Sequence, residues 1–108
     1  MSYNVLTITP FDRQLKRLVK KYPSLRAEYA QLIEKLEADP LQGVALFNNC
    51  YKIRVAIRSK GKGKSGGSRV IAHVKVLDSN VYLLAIYDKS EQEEISDKEI
   101  NSLLAYIE

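Results

Sequence analysis

Hydrophobic positions recur along this chain with two periods, and the switch between them separates a helical first third from a strand-rich middle. Residues 3–8, Tyr-Asn-Val-Leu-Thr-Ile, predict a short strand. Thr9-Pro10-Phe11-Asp12 then supplies an N-cap, a proline at the first helical position and an acid in the first turn. Phe11, Leu15, Leu18, Val19 and Tyr22 fall at helical spacing, which leaves Arg13, Lys16, Arg17, Lys20 and Lys21 largely on the wet side. Pro23 disfavours helical geometry at Tyr22 and stops this helix. Leu25, Tyr29, Leu32, Ile33 and Leu36 repeat the spacing over residues 24–38, so the two helices are expected to pack as an antiparallel hairpin closing at Asp39-Pro40.

After a turn around Gly43 the period shortens to two. Tyr51, Ile53, Val55 and Ile57 alternate with Lys52, Arg54, Ala56 and Arg58, predicting a strand over residues 51–59 with its basic side chains on one face. Residues 60–67, Lys-Gly-Lys-Gly-Lys-Ser-Gly-Gly, are too glycine-rich for an element interior and read as a hairpin loop. In the next strand, residues 69–77, Val70, Ala72, Val74 and Val76 point one way and Arg69, Ile71, His73 and Lys75 the other. Asp78-Ser79-Asn80 is a turn signal, and residues 81–87 are apolar on both alternating faces, as in a central strand. Ser96 and Glu99 form a capping-box pattern with a staple between Ile95 and Ile100, opening a C-terminal helix. The expected fold is α+β: an N-terminal strand and a helical hairpin packed on a small, largely antiparallel sheet, with a final helix.

A length of 108 residues suits a single domain spanning 1–108, and 45% hydrophobic with 28% charged residues is an ordinary globular balance. No apolar run is long enough to cross a bilayer, and the N-terminus lacks a signal-peptide pattern. With Cys50 the only cysteine, no internal disulfide or cysteine metal cluster can form. A cytoplasmic protein without membrane contact is expected, and no cofactor is implied.

Charge changes the picture more than composition does. The net +4 is unevenly spread: Lys52, Arg54, Arg58, Lys60, Lys62, Lys64 and Arg69 follow one another with no acid between them, so the rest of the chain is net acidic. Strand pairing would gather these cations into one patch, and a patch of that kind gains by releasing counterions from a polyanion. Gly63-Lys64-Ser65 resembles the end of a phosphate loop, but Arg58 stands where that motif needs its first glycine and a strand follows instead of a helix. Arg69, just after two glycines, could clamp a phosphate; its ordinary alternative is an ion pair with Asp88 or Glu91. Tyr87, at the end of the central strand, could stack on a base, with Lys89 beside it. His73 reads as a half-buried structural histidine that retains the capacity for proton transfer. The acids at Glu91, Glu93, Glu94, Asp97 and Glu99 suit a helix entry better than a metal site.

Residues 11–22, the Lys52-Ile53-Arg54 segment, the run from Lys60 to Ile71 with its Gly-Gly-x-Arg, and Leu83-Leu84-x-x-Tyr87-x-Lys89 together resemble the RelE/ParE toxin superfamily, most closely its HigB-like RelE branch. The resemblance covers nearly the whole chain. It implies a toxin of a type II toxin–antitoxin system, a ribosome-dependent endoribonuclease that cleaves mRNA in the ribosomal A site by metal-free attack of a ribose 2′-hydroxyl. Its implied partners are a cognate antitoxin, the ribosome with its rRNA, and mRNA. Carried over by position, Arg54, Lys60, Arg69, Tyr87 and Lys89 are the implied catalytic residues, while Lys52, Arg58, Lys62, Lys64 and His73 are expected to bind RNA or ribosome. The general base and acid stay unassigned, because His73 is the only histidine and does not match a position where HigB-like relatives carry one. The competing readings are a ParE-like inhibitor of DNA gyrase on the same fold, and a non-catalytic RNA-binding or degenerate toxin.

Overall fold

A computed structural model of the chain describes residues 2–60 and 66–107. The elements are β1 (Asn4–Thr7), α1 (Thr9–Lys21), α2 (Leu25–Ala38), β2 (Val44–Ala45), β3 (Cys50–Val55), β4 (Ser68–Lys75), β5 (Asn80–Asp88) and α3 (Asp97–Leu104). They form the expected α+β fold, with a five-stranded sheet in the order β1-β5-β4-β3-β2. β3, β4 and β5 follow one another antiparallel, and β1 joins the far side of β5 as the parallel strand. β5 is therefore internal over its first half, which explains why its sequence is apolar on both faces.

The helical hairpin covers one face of the sheet. Phe11 and Leu18 of α1, Leu25 and Leu36 of α2, and Val70, Leu83 and Leu84 of the sheet are fully buried, each contributing roughly 1.5–3 kcal/mol by leaving water. Phe11 and Tyr29 join the two helices with ring centroids 5.9 Å apart. A register shift sets Ile71 opposite Ala85 but Ala72 opposite Leu83, so Leu84 is the extra residue of a bulge. α3 packs against β5, and Ile100 is its buried anchor.

Four features differ from the sequence pattern. β4 ends at Lys75 and not at residue 77, because Val76–Asp78 turn as a 3₁₀ helix. Thr9 is the first residue of α1 instead of its cap; Ile8 holds the extended cap position, and no side chain closes it. β2 is too short to have left a periodic signal. β3 ends at Val55 and not at residue 59, because Arg58–Lys60 turn as a 3₁₀ helix toward the start of α2. Glu28 Oε2 accepts the Arg58 backbone N–H at 2.8 Å, and Ser24 Oγ accepts that of Ser59 at 2.9 Å. With these donors taken by α2, the chain has no cause to stay in the ladder. Arg58 consequently sits on a turn beyond the basic strand face. Ser96 caps α3 as its pattern predicts, its Oγ accepting the Glu99 N–H at 3.1 Å.

Candidate nucleic-acid interface

The sheet register brings three of the sequence-predicted site residues into one row. Arg54 of β3 lies directly opposite Arg69 of β4, and Arg69 directly opposite Tyr87 of β5. Directly paired residues share a face, and neighbouring strands are about 4.8 Å apart, so the three side chains rise from backbone positions within roughly 10 Å. Two like charges in this position repel and oppose folding. Arg54 is exposed, whereas Arg69 is only 4% exposed and donates Nη1 to the Ser68 carbonyl at 3.0 Å. Asp88 pairs with Lys60, and Glu91 with Arg17 and Lys21.

Tyr87 is 6% exposed, in a hollow that it shares with Ile95, Glu99 and Leu103. Burial raises its pKa, the Arg69 charge opposes that shift, and Glu94 and Glu99 add to it. Its buried hydroxyl has no hydrogen-bond partner among the described residues. An unsatisfied buried group of this kind costs about 1–3 kcal/mol, a departure from good packing that functional sites tolerate. Gly67, at the entry to the row, has the Val55 carbonyl so close that a Cβ would sit 2.4 Å from it, so only glycine fits there.

The other candidates disperse. Lys52 shares the face of Arg54 one row further along, opposite Ile71. His73 lies four residues from Arg69, about 13 Å along the strand, opposite Cys50. Burial lowers the His73 pKa; a backbone hydrogen bond with Asn48 opposes this and nearby Lys75 adds to it. Its Nδ1 is 3.7 Å from Cys50 Sγ, and burial pushes that thiol up to about 11, so no thiolate nucleophile is available. Lys89 follows the end of β5, its backbone N–H donating to the Gly67 carbonyl at 3.1 Å. Lys62 and Lys64 lie outside the described residues.

Lys60 points away from the row into a separate cluster that sequence reasoning missed. Its ammonium donates to Asp88 Oδ1 at 2.5 Å and lies 5.3 Å from the centre of the Tyr22 ring. Tyr22 donates its hydroxyl to Asp88 Oδ2 at 2.6 Å, and Ser90 donates both its backbone N–H and its hydroxyl to Oδ1. The Lys60 and Asp88 side chains are 8% and 0% exposed. Burial works against the Asp88 charge, but the donors from Lys60, Tyr22 and Ser90 outweigh it and hold the carboxyl well below the usual carboxylate range. An acid ending an otherwise apolar strand was the available signal, since a buried carboxylate calls for a cation.

Among the described residues, no three His, Cys, Asp or Glu side chains converge as a metal ion would require, and no helix is long and apolar enough to cross a membrane. The family model described as the RelE toxin of the RelE/RelB toxin–antitoxin system matches residues 11–107. The fold is similar to that of a double-mutant Escherichia coli RelE toxin in the free state, with TM-score 0.62 and 16% identity over the full length of both chains. It is also similar to the isolated E. coli RelE toxin, with TM-score 0.58, 17% identity, and 96% of this chain and 98% of that one covered. A third similar structure is the toxin–antitoxin complex RelBE2 of Mycobacterium tuberculosis, with TM-score 0.56 and 17% identity over 82% of this chain and 92% of that one.

Proposed function

The chain belongs to the RelE family of toxins from toxin–antitoxin systems, and from that premise we propose that it is a ribosome-dependent mRNA endonuclease held in check by a cognate antitoxin in the cytoplasm. The observation that carries this reading is the pairing of Arg54 with Arg69 across β3 and β4. A scissile phosphodiester seated on that pair meets two guanidinium groups from adjacent strands. As the 2′-hydroxyl oxygen bonds to phosphorus, the P–O5′ bond breaks, leaving a 2′,3′-cyclic phosphate and a 5′-hydroxyl. Negative charge accumulates on the non-bridging oxygens of the phosphorane, where preorganised cations have their largest effect.

In this assignment Arg54, being exposed, contacts the phosphate, and the nearly buried Arg69 supplies a permanent charge from beneath it, in surroundings that screen it little. Tyr87 orients a base that enters the hollow it shares with Ile95 and Leu103. Lys52 and Lys89 steer the strand. Lys60 acts by fixing the start of the basic loop against Asp88, and the loop lysines Lys62 and Lys64 are assigned to RNA or ribosome contact. The proton of the 2′-hydroxyl passes to a general base, and a general acid delivers another to the departing O5′, with neither role tied to one residue.

Such a site has few groups of its own for holding a flexible message in line, so the reading requires the ribosome to position it. Induction of the chain without its antitoxin, with primer extension on cellular mRNA, tests this: cuts in phase with codons that vanish when translation is blocked are expected. Double-strand DNA breaks without message cleavage would overturn it, as would rapid, magnesium-dependent degradation of naked RNA by the purified protein.

A further inference from the structure

We propose that the groove along the open edge of β3, between that strand and α2, is a second phosphate-binding track, which carries the RNA strand away from the Arg54–Arg69 row. The proposal rests on the ribonuclease reading and extends it from Lys52 and Arg54 to Gln31, Lys35 and Gln42, which that reading does not use. β2 pairs only with Tyr51 and Lys52, so among the described residues the outer edge of β3 from Ile53 to Val55 has no neighbouring strand. The space between this edge and α2 is a hollow of about 700 Å³. Lys52, Arg54 and Arg58 line it from the strand side, and Gln31 and Lys35 line it from α2. Gln42 closes it from the connection to β2.

None of these four cations takes part in the ion pairs formed among the described residues. Glu28 is the acid in the lining, and its charge is already used internally. Its Oε1 accepts from Ser24 Oγ at 3.0 Å and its Oε2 from the Arg58 backbone, leaving the residue 9% exposed. The groove is therefore strongly positive with two amide side chains able to donate or accept.

Two occupants fit an open strand edge beside a cationic wall: an extended acidic peptide and a nucleic-acid backbone. The apolar floor, Leu32 and Ile53, is 6% and 7% exposed, so it offers no cavities for alternate side chains of an added strand. A phosphodiester chain needs no such cavities and gains counterion release at each phosphate it places against a cation. Arg54 belongs both to the row and to the groove, so a strand gripped at one continues into the other without a gap in positive charge.

The test is equilibrium binding, by fluorescence anisotropy, of a labelled single-stranded oligoribonucleotide that is 2′-O-methylated throughout so that it cannot be cut. Lys35 is exposed on α2. Lys35→Gln is expected to weaken binding roughly threefold at physiological salt and to reduce the salt slope by about 0.7, the signature of one lost phosphate contact. Gln31→Glu with Gln42→Glu should weaken binding further, while Lys16→Gln, on the exposed side of α1, should change neither quantity. Unchanged affinity and slope in the groove variants, or an equal loss in Lys16→Gln, would overturn the proposal. Failure of those variants to bind an extended glutamate-rich peptide, with RNA binding intact, would do the same. Mapping message cuts by the parent chain separates the two readings. A parent that makes no cuts, with RNA binding lost in the groove variants, leaves the groove standing and removes the ribonuclease, whereas codon-phased cuts by the parent with unaltered RNA binding in the variants remove the groove alone.

Discussion

Lys60 and Arg54 come from one basic run in the sequence, yet the two sides of the sheet treat them in opposite ways. Lys60 meets an apolar strand end that carries Asp88, loses its water and finds an acid, a phenol ring and a serine hydroxyl waiting. Arg54 stays exposed and faces another arginine. In the first region charge is neutralised and becomes part of the core; in the second two cations are set side by side by the register. Whether a cation is structural or functional is thus decided by what stands opposite it, and membership of a lysine-rich loop carries little information.

The largest effect expected from breaking this contrast lies at the neutralised pair. Lys60→Met or Asp88→Asn leaves a buried group uncompensated and should cost about 3–5 kcal/mol in urea unfolding, whereas the double variant Lys60→Met/Asp88→Leu should recover most of that loss. Single-variant losses below about 1 kcal/mol would show the pair to be no stronger than a surface contact. At the concentrated pair the effect should fall on activity. Arg69→Ala or Arg54→Ala is expected to lower message cleavage at least about a hundredfold while circular dichroism stays that of the parent. Continued growth arrest in Arg69→Ala cells would take that residue out of the site.

A third measurement separates the regions by pH. Asp88 has a folded pKa below its unfolded value, near 3.9, so its contribution to stability is complete above about pH 5 and drains away as pH falls through about 4 and lower. The Asp88→Asn chain lacks that contribution, so its unfolding midpoint and the parent's should converge as the solution is acidified; a constant gap down to about pH 2 would contradict the linkage. The smallest effect has the opposite sign. Arg54→Gln removes a like-charge neighbour of Arg69 and should raise stability by about 0.2–1 kcal/mol, detectable as a small increase in Tm.

The features legible in advance share one property: they depend on residues near one another in the chain. The helical stripe from Phe11 to Tyr22, the alternation in β3 and β4 and the Ser96 cap are all local rules, and each element lies where its pattern put it to within a few residues. Where the local rule failed, a distant partner had intervened. Glu28 and Ser24 drew residues 58 and 59 out of the predicted strand. Glu28 lies on the buried stripe of α2 between Leu25 and Leu32, so its position held a signal, but nothing local told which backbone it would receive.

By itself the sequence determined the kinds of elements, their order, the family resemblance and the existence of a dense cationic segment, because periodicity and charge are properties of the chain alone. The tertiary structure decided which cations act together. Register placed Arg54, Arg69 and Tyr87 in one row, and burial turned Lys60 toward Asp88. Both choices depend on contacts between residues 15 to 30 positions or more apart, whose free energy is set by strand alignment and by the removal of water, and neither is written in the spacing of side chains along the chain.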